Sequence, residues 1–293
     1  MRNFEEVINA AKRKGPKTIA VAAAHDDDVL KAIKVALNAG IVRAILIGNE
    51  QKIKEIASRI ELPLKDVKIH HEENPKEMCL KAVSLVSSGE AHILMKGLVD
   101  TSVILSAVLD KNVGLRTGST LSHVAVFFVE TYHKMLMLTD AAMNIEPDAE
   151  TKRQILENAV AFAHSMGIEC PKCAVVCAKE SVSKAMKHTI DAQTLVEANI
   201  PGCIVGGPFA LDNAISKAAA EHKGIQHEVA GDADILLMPQ IEAGNVLYKA
   251  LTFLAKAESA GLILGAKAPI VLTSRADSDI AKLNSIALSV LHA

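Results

Sequence analysis

Four segments of the chain gather side chains that suit an anion. Met95-Lys96-Gly97-Leu98-Val99-Asp100-Thr101-Ser102 joins a lysine to a glycine and two hydroxyls. Arg116-Thr117-Gly118-Ser119-Thr120-Leu121-Ser122-His123 adds an arginine and four more hydroxyls. Gly206-Gly207-Pro208-Phe209-Ala210-Leu211-Asp212 supplies glycine amides, and Thr273-Ser274-Arg275-Ala276-Asp277-Ser278 a second arginine with hydroxyls and a carboxylate. Lys, Arg, hydroxyls and exposed backbone N–H groups bind phosphate through charge-assisted hydrogen bonds. Each segment also has a plain structural reading. Gly-Gly-Pro is an ordinary turn, and Ser278 or Asp279 serves equally as a helix cap.

Other clusters read as structure. Cys170-Pro171-Lys172-Cys173, with Cys177 behind it, has a spacing at which thiolates share a zinc. No second Cys-x-x-Cys and no His pair at zinc-finger spacing follows, and Cys173 and Cys177 flank an apolar run where Cys acts as a small hydrophobe. His70-His71-Glu72-Glu73 reads as a solvated strand end, and His25-Asp26-Asp27-Asp28 as a helix cap with acids favoured by the helix dipole. No metal site is assigned. Gly-x-Gly-x-x-Gly after a strand, the P-loop pattern and Gly-x-Ser-x-Gly are all absent.

The elements that must position the four segments follow from periodicity. Apolar runs of strand length at 18–23, 43–47, 67–70 and 92–95 alternate with helical segments at 29–37, 52–60 and 75–87. This β-α-β-α rhythm makes a parallel sheet covered by helices, with right-handed crossovers. It breaks at 124–130 and 135–139, two strands only about five residues apart, too close for a parallel crossover and so an antiparallel hairpin. Alternation resumes with helices at 150–166, 181–199, 212–222, 245–260 and 280–291, and strands at 174–177, 204–205, 235–238 and 269–273. The expectation is two α/β domains with mostly parallel sheets, the break falling near residue 120. The four segments then lie just past strand ends, where such sheets bind ligands.

Composition narrows the function. The chain has 293 residues, 32 basic and 34 acidic side chains and a net charge of −2. Phosphate backbones are held by a surplus of Lys and Arg, so this balance argues against nucleic acid. Aromatic residues are 3% and Trp is absent, which argues against base stacking. No run approaches the roughly 20 apolar residues of a membrane span. The charged N-terminus does not read as a signal peptide, and five cysteines, an odd number, read as reduced thiols of a cytoplasmic protein.

Taken together, Lys96-Gly97 with Asp100-Thr101, the block 207–212, Ala243-Gly244-Asn245-Val246-Leu247-Tyr248-Lys249-Ala250, and Leu272-Thr273-Ser274-Arg275 with Ala276-Asp277-Ser278 make the chain resemble the phosphate acetyltransferase and phosphate butyryltransferase family. The likeness runs along nearly the whole chain and is closest to the butyryl branch. It implies an isocitrate/isopropylmalate dehydrogenase-like fold with the active-site cleft between two domains, 1–120 plus 262–293 and 121–261. It also implies a homodimer or higher homo-oligomer. The implied reaction is reversible: acyl-CoA and inorganic phosphate give acyl phosphate and CoA, with coenzyme A as substrate and no permanently bound cofactor.

A free thiol ionises with a pKa of about 8.5, so the CoA sulfur needs a base or a cation to attack the acyl phosphate. The resemblance places Ser274 and Arg275 in that role, while the family's acidic base falls on Ala281 in this chain. Of the nearest carboxylates, Asp277 is the expected base, because its loop would hold it beside Arg275, and Asp279 is the alternative. Lys96, Gly97, Thr101, Ser119, Ser122, Gly207, Asp212 and Asn245 are the expected substrate-binding residues, with amides near Gly97 and Gly207 stabilising developing negative charge. Two other readings stay open: a metal- and NAD-dependent decarboxylating dehydrogenase on the same fold, and a non-catalytic protein that binds acyl-CoA or acyl phosphate.

Overall fold

The computed structural model describes residues 1–272 and 278–293. The chain separates into two compact units, one of Phe4–Ser119 with Ala260–Ala293, the other of Thr120–Ser259 with Met1–Asn3. The first is called the discontinuous unit below, the second the inserted unit.

The discontinuous unit begins with α1 (Phe4–Lys14), β1 (Lys17–Ala22), α2 (Asp27–Asn38), β2 (Val42–Gly48), α3 (Glu50–Arg59), β3 (Lys68–His71), α4 (Pro75–Ser87), β4 (Ile93–Lys96) and α5 (Thr101–Val108). The four strands are parallel, and Ala22 at the end of β1 lies opposite Ile47 on one side and Lys96 on the other. Ile19–Ala22 and Ile93–Met95 are buried throughout, the mark of strands covered on both faces. The helices start where the sequence offers caps. Asp26 accepts from the amides of Asp28 and Val29, Asn49 from that of Lys52, and Asn74 precedes a proline in the first turn of α4.

The inserted unit holds β5 (Ser122–Phe128), β6 (Leu136–Thr139), α6 (Ala149–Ser165), β7 (Lys172–Val176), α7 (Lys187–Glu197), β8 (Ile204–Phe209), α8 (Leu211–Ile215), α9 (Lys217–His222), β9 (Ile235–Leu237) and α10 (Ile241–Lys249). β5 and β6 form the expected antiparallel hairpin, while β6–β9, β9–β7 and β7–β8 pair in parallel. Phe127, Leu138, Val176, Phe209 and Leu236 meet in its core. The chain then supplies β10 (Glu258–Leu264), β11 (Ile270–Val271) and α11 (Asp279–His292). β11 runs antiparallel to β10 and parallel to β4, and α11 packs on α1 and α2.

Several expectations need correction. The helix expected over 245–260 is α10, which starts at Ile241, followed by a π-helical turn at Ala250–Leu254. Lys256 then turns left-handed at φ 54°, and the chain becomes β10. A short apolar run such as Leu262-Ile263-Leu264 fits a helix or a strand equally well; pairing with β11 decides it. The helix expected over 181–199 begins only at Lys187, because Ser183 and Met186 bridge in a turn held by Thr189. The helix expected over 212–222 is two short ones that meet at Ser216, which caps the second. Both α1 and α5 lie in stretches given no element from periodicity.

Candidate functional site

In the inserted unit the carboxyl end of β6 is Thr139, and the turn Asp140–Asn144 follows. The carboxyl end of β9 leads to Gln240, whose side chain caps α10 by accepting from Glu242 N. β5 starts at this same end of the sheet, since Val124 pairs with Thr139. Three stretches distant in sequence, 120–123, 140–144 and 244–248, are thereby brought together, and Asp140 joins them.

The Asp140 side chain is buried, at 4% exposure. Its Oδ1 accepts from the amides of Ala142 (2.7 Å) and Met143 (2.9 Å). Its Oδ2 accepts from His123 N (3.1 Å) and Asn144 Nδ2 (2.7 Å). Asn144 Nδ2 also donates to Leu121 O at 2.9 Å, and Thr139 Oγ1 to His123 O at 2.8 Å. Helix α6 holds the same segment from its other side. Gln154 Oε1 accepts from both the amide and the hydroxyl of Thr120, and Asn158 Nδ2 donates to Thr120 O and Ser122 Oγ. Gly244 is required for close approach, because a Cβ there would stand 2.4 Å from Asp140 O. Asn245 Nδ2 donates to Ala141 O at 3.2 Å. The Tyr248 ring stands edge-on to His123 and Phe127, at 6.0 and 5.4 Å.

The sequence-expected residues divide accordingly. Asn245 belongs to this assembly. Ser122 does too; it is 1% exposed, and its hydroxyl oxygen accepts from Asn158 Nδ2, which braces the segment. Gly207 lies within β8, where its Cβ would come within 3.0 Å of Val175, so glycine serves strand packing there. Asp212 lies in the first turn of α8 and pairs with Lys223 at 3.2 Å; Lys223 also holds Glu180 at 2.7 Å.

The remaining described residues belong to the discontinuous unit. Lys96 ends β4, and its Nζ donates to Gly97 O (3.2 Å) and Val99 O (3.1 Å). Gly97 is among the expected substrate-binding residues; its own amide donates to Ala22 O at 2.8 Å, and Leu98 N donates to Ala23 O at 2.8 Å. The reason for glycine is steric: a Cβ would stand 2.2 Å from Ala23 O. Thr101 is the exposed first residue of α5, after Asp100, which makes no side-chain cap bond. Ser119 is exposed, and its amide donates to Thr117 Oγ1, itself anchored on Gly265 O at 2.6 Å. Ser278, not Asp279, caps α11, accepting from Ala281 N. Ser274, Arg275 and Asp277 lie outside the described residues.

Sequence reasoning passed over Asp140, Asn144, Gln154 and Asn158. The one local signal was Asp140-Ala-Ala-Met-Asn144 directly after an apolar strand, a pattern that favours an Asx turn. It also passed over a buried ion pair at the carboxyl end of β7. Lys152 Nζ lies 2.6 Å from Asp191 Oδ2 and 3.0 Å from His188 Nδ1. Burial, then Lys152, lower the pKa of His188, which favours the neutral ring. All five cysteines are free thiols. Cys170 is exposed, and burial pushes the Cys177 thiol up to about 11. Among the described residues no three His, Cys, Asp or Glu side chains stand close enough to hold a metal ion. Among them, too, no helix is long and apolar enough to cross a membrane.

Comparison with known proteins decides the family. The model for "Phosphate acetyl/butaryl transferase" matches residues 3–81 and 70–290. The chain belongs to the phosphate acetyl/butyryl transferase family. It is 51% identical to a phosphate butyryltransferase of Clostridium beijerinckii, over 100% of this chain and 98% of that protein. It is 46% identical to a phosphate acetyltransferase of Thermotoga maritima, over 99% of each. Among solved structures, a branched-chain phosphotransacylase from Enterococcus faecalis V583 superimposes with a TM-score of 0.86 at 33% identity, covering 94% of this chain and 98% of that one. The mixed α/β, largely parallel architecture is thus that of a phosphotransacylase.

Proposed function

We propose that this member of the family transfers a short-chain acyl group, butyryl foremost, reversibly between CoA and inorganic phosphate. The observation that carries the reading is 51% identity to a phosphate butyryltransferase along the entire chain. Acyl-CoA, inorganic phosphate and acyl phosphate are its ligands, with CoA a substrate and not a resident cofactor.

In the direction of acyl-CoA formation the CoA sulfur attacks the acyl phosphate carbonyl, the C–O bond to phosphate breaks, and the thiol proton passes to a base. Ser274, Arg275 and Asp277 are assigned to thiol activation and to the charge on the oxyanion and leaving phosphate. Lys96, Thr101 at the first turn of α5, and Ser119 are assigned to phosphate, which helix N-termini and cations favour. Gly97, Ser122 and Gly207 act through the backbone they shape, and Asn245 through Ala141. Holding both substrates side by side removes the need for a covalent enzyme intermediate.

The test is release of free CoA from acetyl-, propionyl- and butyryl-CoA on addition of phosphate, without metal or NAD. Strict dependence on Mg²⁺ and NAD favours the dehydrogenase reading, and binding without turnover the non-catalytic one. Arg275→Ala should lower turnover about a hundredfold, the loss of one charge-stabilising donor of about 3 kcal/mol. Lys at this position should restore it only in part, lacking the planar fork. Near-normal turnover in folded Arg275→Ala removes this residue from the mechanism.

A further inference from the structure

We infer that Asp140 and Asn144 are positioning residues for the phosphate-bearing substrate, acting through the segment that ends in His123. The inference rests on the functional reading above, in which Ser119, the residue that directly precedes the segment 120–123, meets phosphate. Neither side chain is offered as a ligand. Both Asp140 carboxylate oxygens are taken up by N–H donors of the chain itself.

The case stands on how the bonds are distributed. Among the described residues four hydrogen bonds reach the Asp140 carboxylate, all from N–H donors and three of them backbone amides, and no cation touches it. A buried carboxylate without a cation is a poor way to gain stability. It is an effective way to fix geometry, because charge-assisted bonds are short and directional. Those bonds run to His123, across Asn144 to Leu121, and into the turn at 142–143. The same turn presents Asp140 O against Gly244 and Ala141 O to Asn245. The start of β5 and the first half of α10 are therefore set against one five-residue turn. A shift of that turn moves both.

Asp140→Asn keeps the shape but places an NH₂ where donors converge from both sides. Asn144→Ala is the milder change. It cuts the tie to Leu121 O and leaves Asp140 three of its donors. A loss on the order of ten- to a hundredfold is expected for such a misplacement of substrate.

The experiment measures initial rates with butyryl-CoA and inorganic phosphate, with calorimetric titration of inorganic phosphate, on wild type, Asn144→Ala and Asp140→Asn. The expected result is a KM for phosphate raised on the order of tenfold or more in Asn144→Ala. Phosphate binding should weaken in parallel, while the KM for butyryl-CoA and the melting temperature stay near wild type. A purely structural role would lower the amount of active protein and leave both KM values alone; that outcome overturns the proposal, as does wild-type behaviour of both folded variants. If wild type neither turns over nor binds phosphate, the functional reading falls, and the positioning role falls with it.

Discussion

The two units shape the ends of their strands by different means. In the inserted unit the ends of β5 and β6 are braced by buried polar side chains: Ser122, Thr139 and Asp140, with Asn158 and Gln154 reaching across from α6. In the discontinuous unit the described buried polar side chains are Lys282, Asn284, Ser285 and Ser289, all on α11. There the backbone does the shaping. Gly97 lies against Ala22 and Ala23, two amides reach back to β1, and Ala23 turns left-handed at φ 54°. Side-chain braces can be removed one bond at a time. A backbone-on-backbone contact tolerates no added atom.

The largest effect expected from this contrast is at Lys152. Lys152→Met strands Asp191, whose side chain is 9% exposed, and should destabilise the protein by about 3–5 kcal/mol, read from urea denaturation. A loss below about 1 kcal/mol would mean that the inserted unit does not depend on its buried charges. Gly97→Ala tests the other unit. The added Cβ meets backbone, so a destabilisation of about 1–3 kcal/mol should accompany a fall in turnover. Unchanged turnover would show that the ends of β1 and β4 can part without consequence.

A smaller effect, opposite in sign, is expected at Ala23. Ala23→Gly relieves left-handed strain of about 1–2 kcal/mol. Glycine gives back about 0.4–1 kcal/mol through the unfolded chain. Thermal denaturation should therefore show a gain of about 1 kcal/mol or less. Loss of stability there would contradict a backbone-shaped edge.

The smallest concerns Asp232 in the inserted unit. Burial pushes its pKa up, but Lys172, Lys134 and His133 outweigh this and hold it well below the usual range. A depressed carboxylate stabilises above its unfolded pKa of about 3.9, and that stabilisation is lost as pH falls through the folded value. Asp232→Asn should therefore cost about 1 kcal/mol or less at neutral pH and flatten the acid limb below about pH 4, where the two stability curves converge. An unaltered acid limb would show that these half-buried ion pairs contribute nothing measurable.

The parallel strands β1 and β4 were legible because they are buried on both faces and so read as apolar runs, as Ile19–Ala22 does. The hairpin was legible from chain length, since a gap of about five residues admits no crossover. Family membership could likewise be read from the blocks around Lys96, Gly207, Gly244 and Arg275. These properties are local and survive without knowledge of partners. Tertiary structure alone decided that 258–264 is a strand, that Gly97 spends its amide on Ala22, and that Ser122 is a brace. It alone showed that Asp140 gathers His123 and Leu121, through Asn144, from 17 to 23 residues away and faces the helix of Asn245, which bonds Ala141 104 residues away. A hydrogen bond commits a donor to one acceptor in space, and residue spacing along the chain carries no record of which acceptor that is.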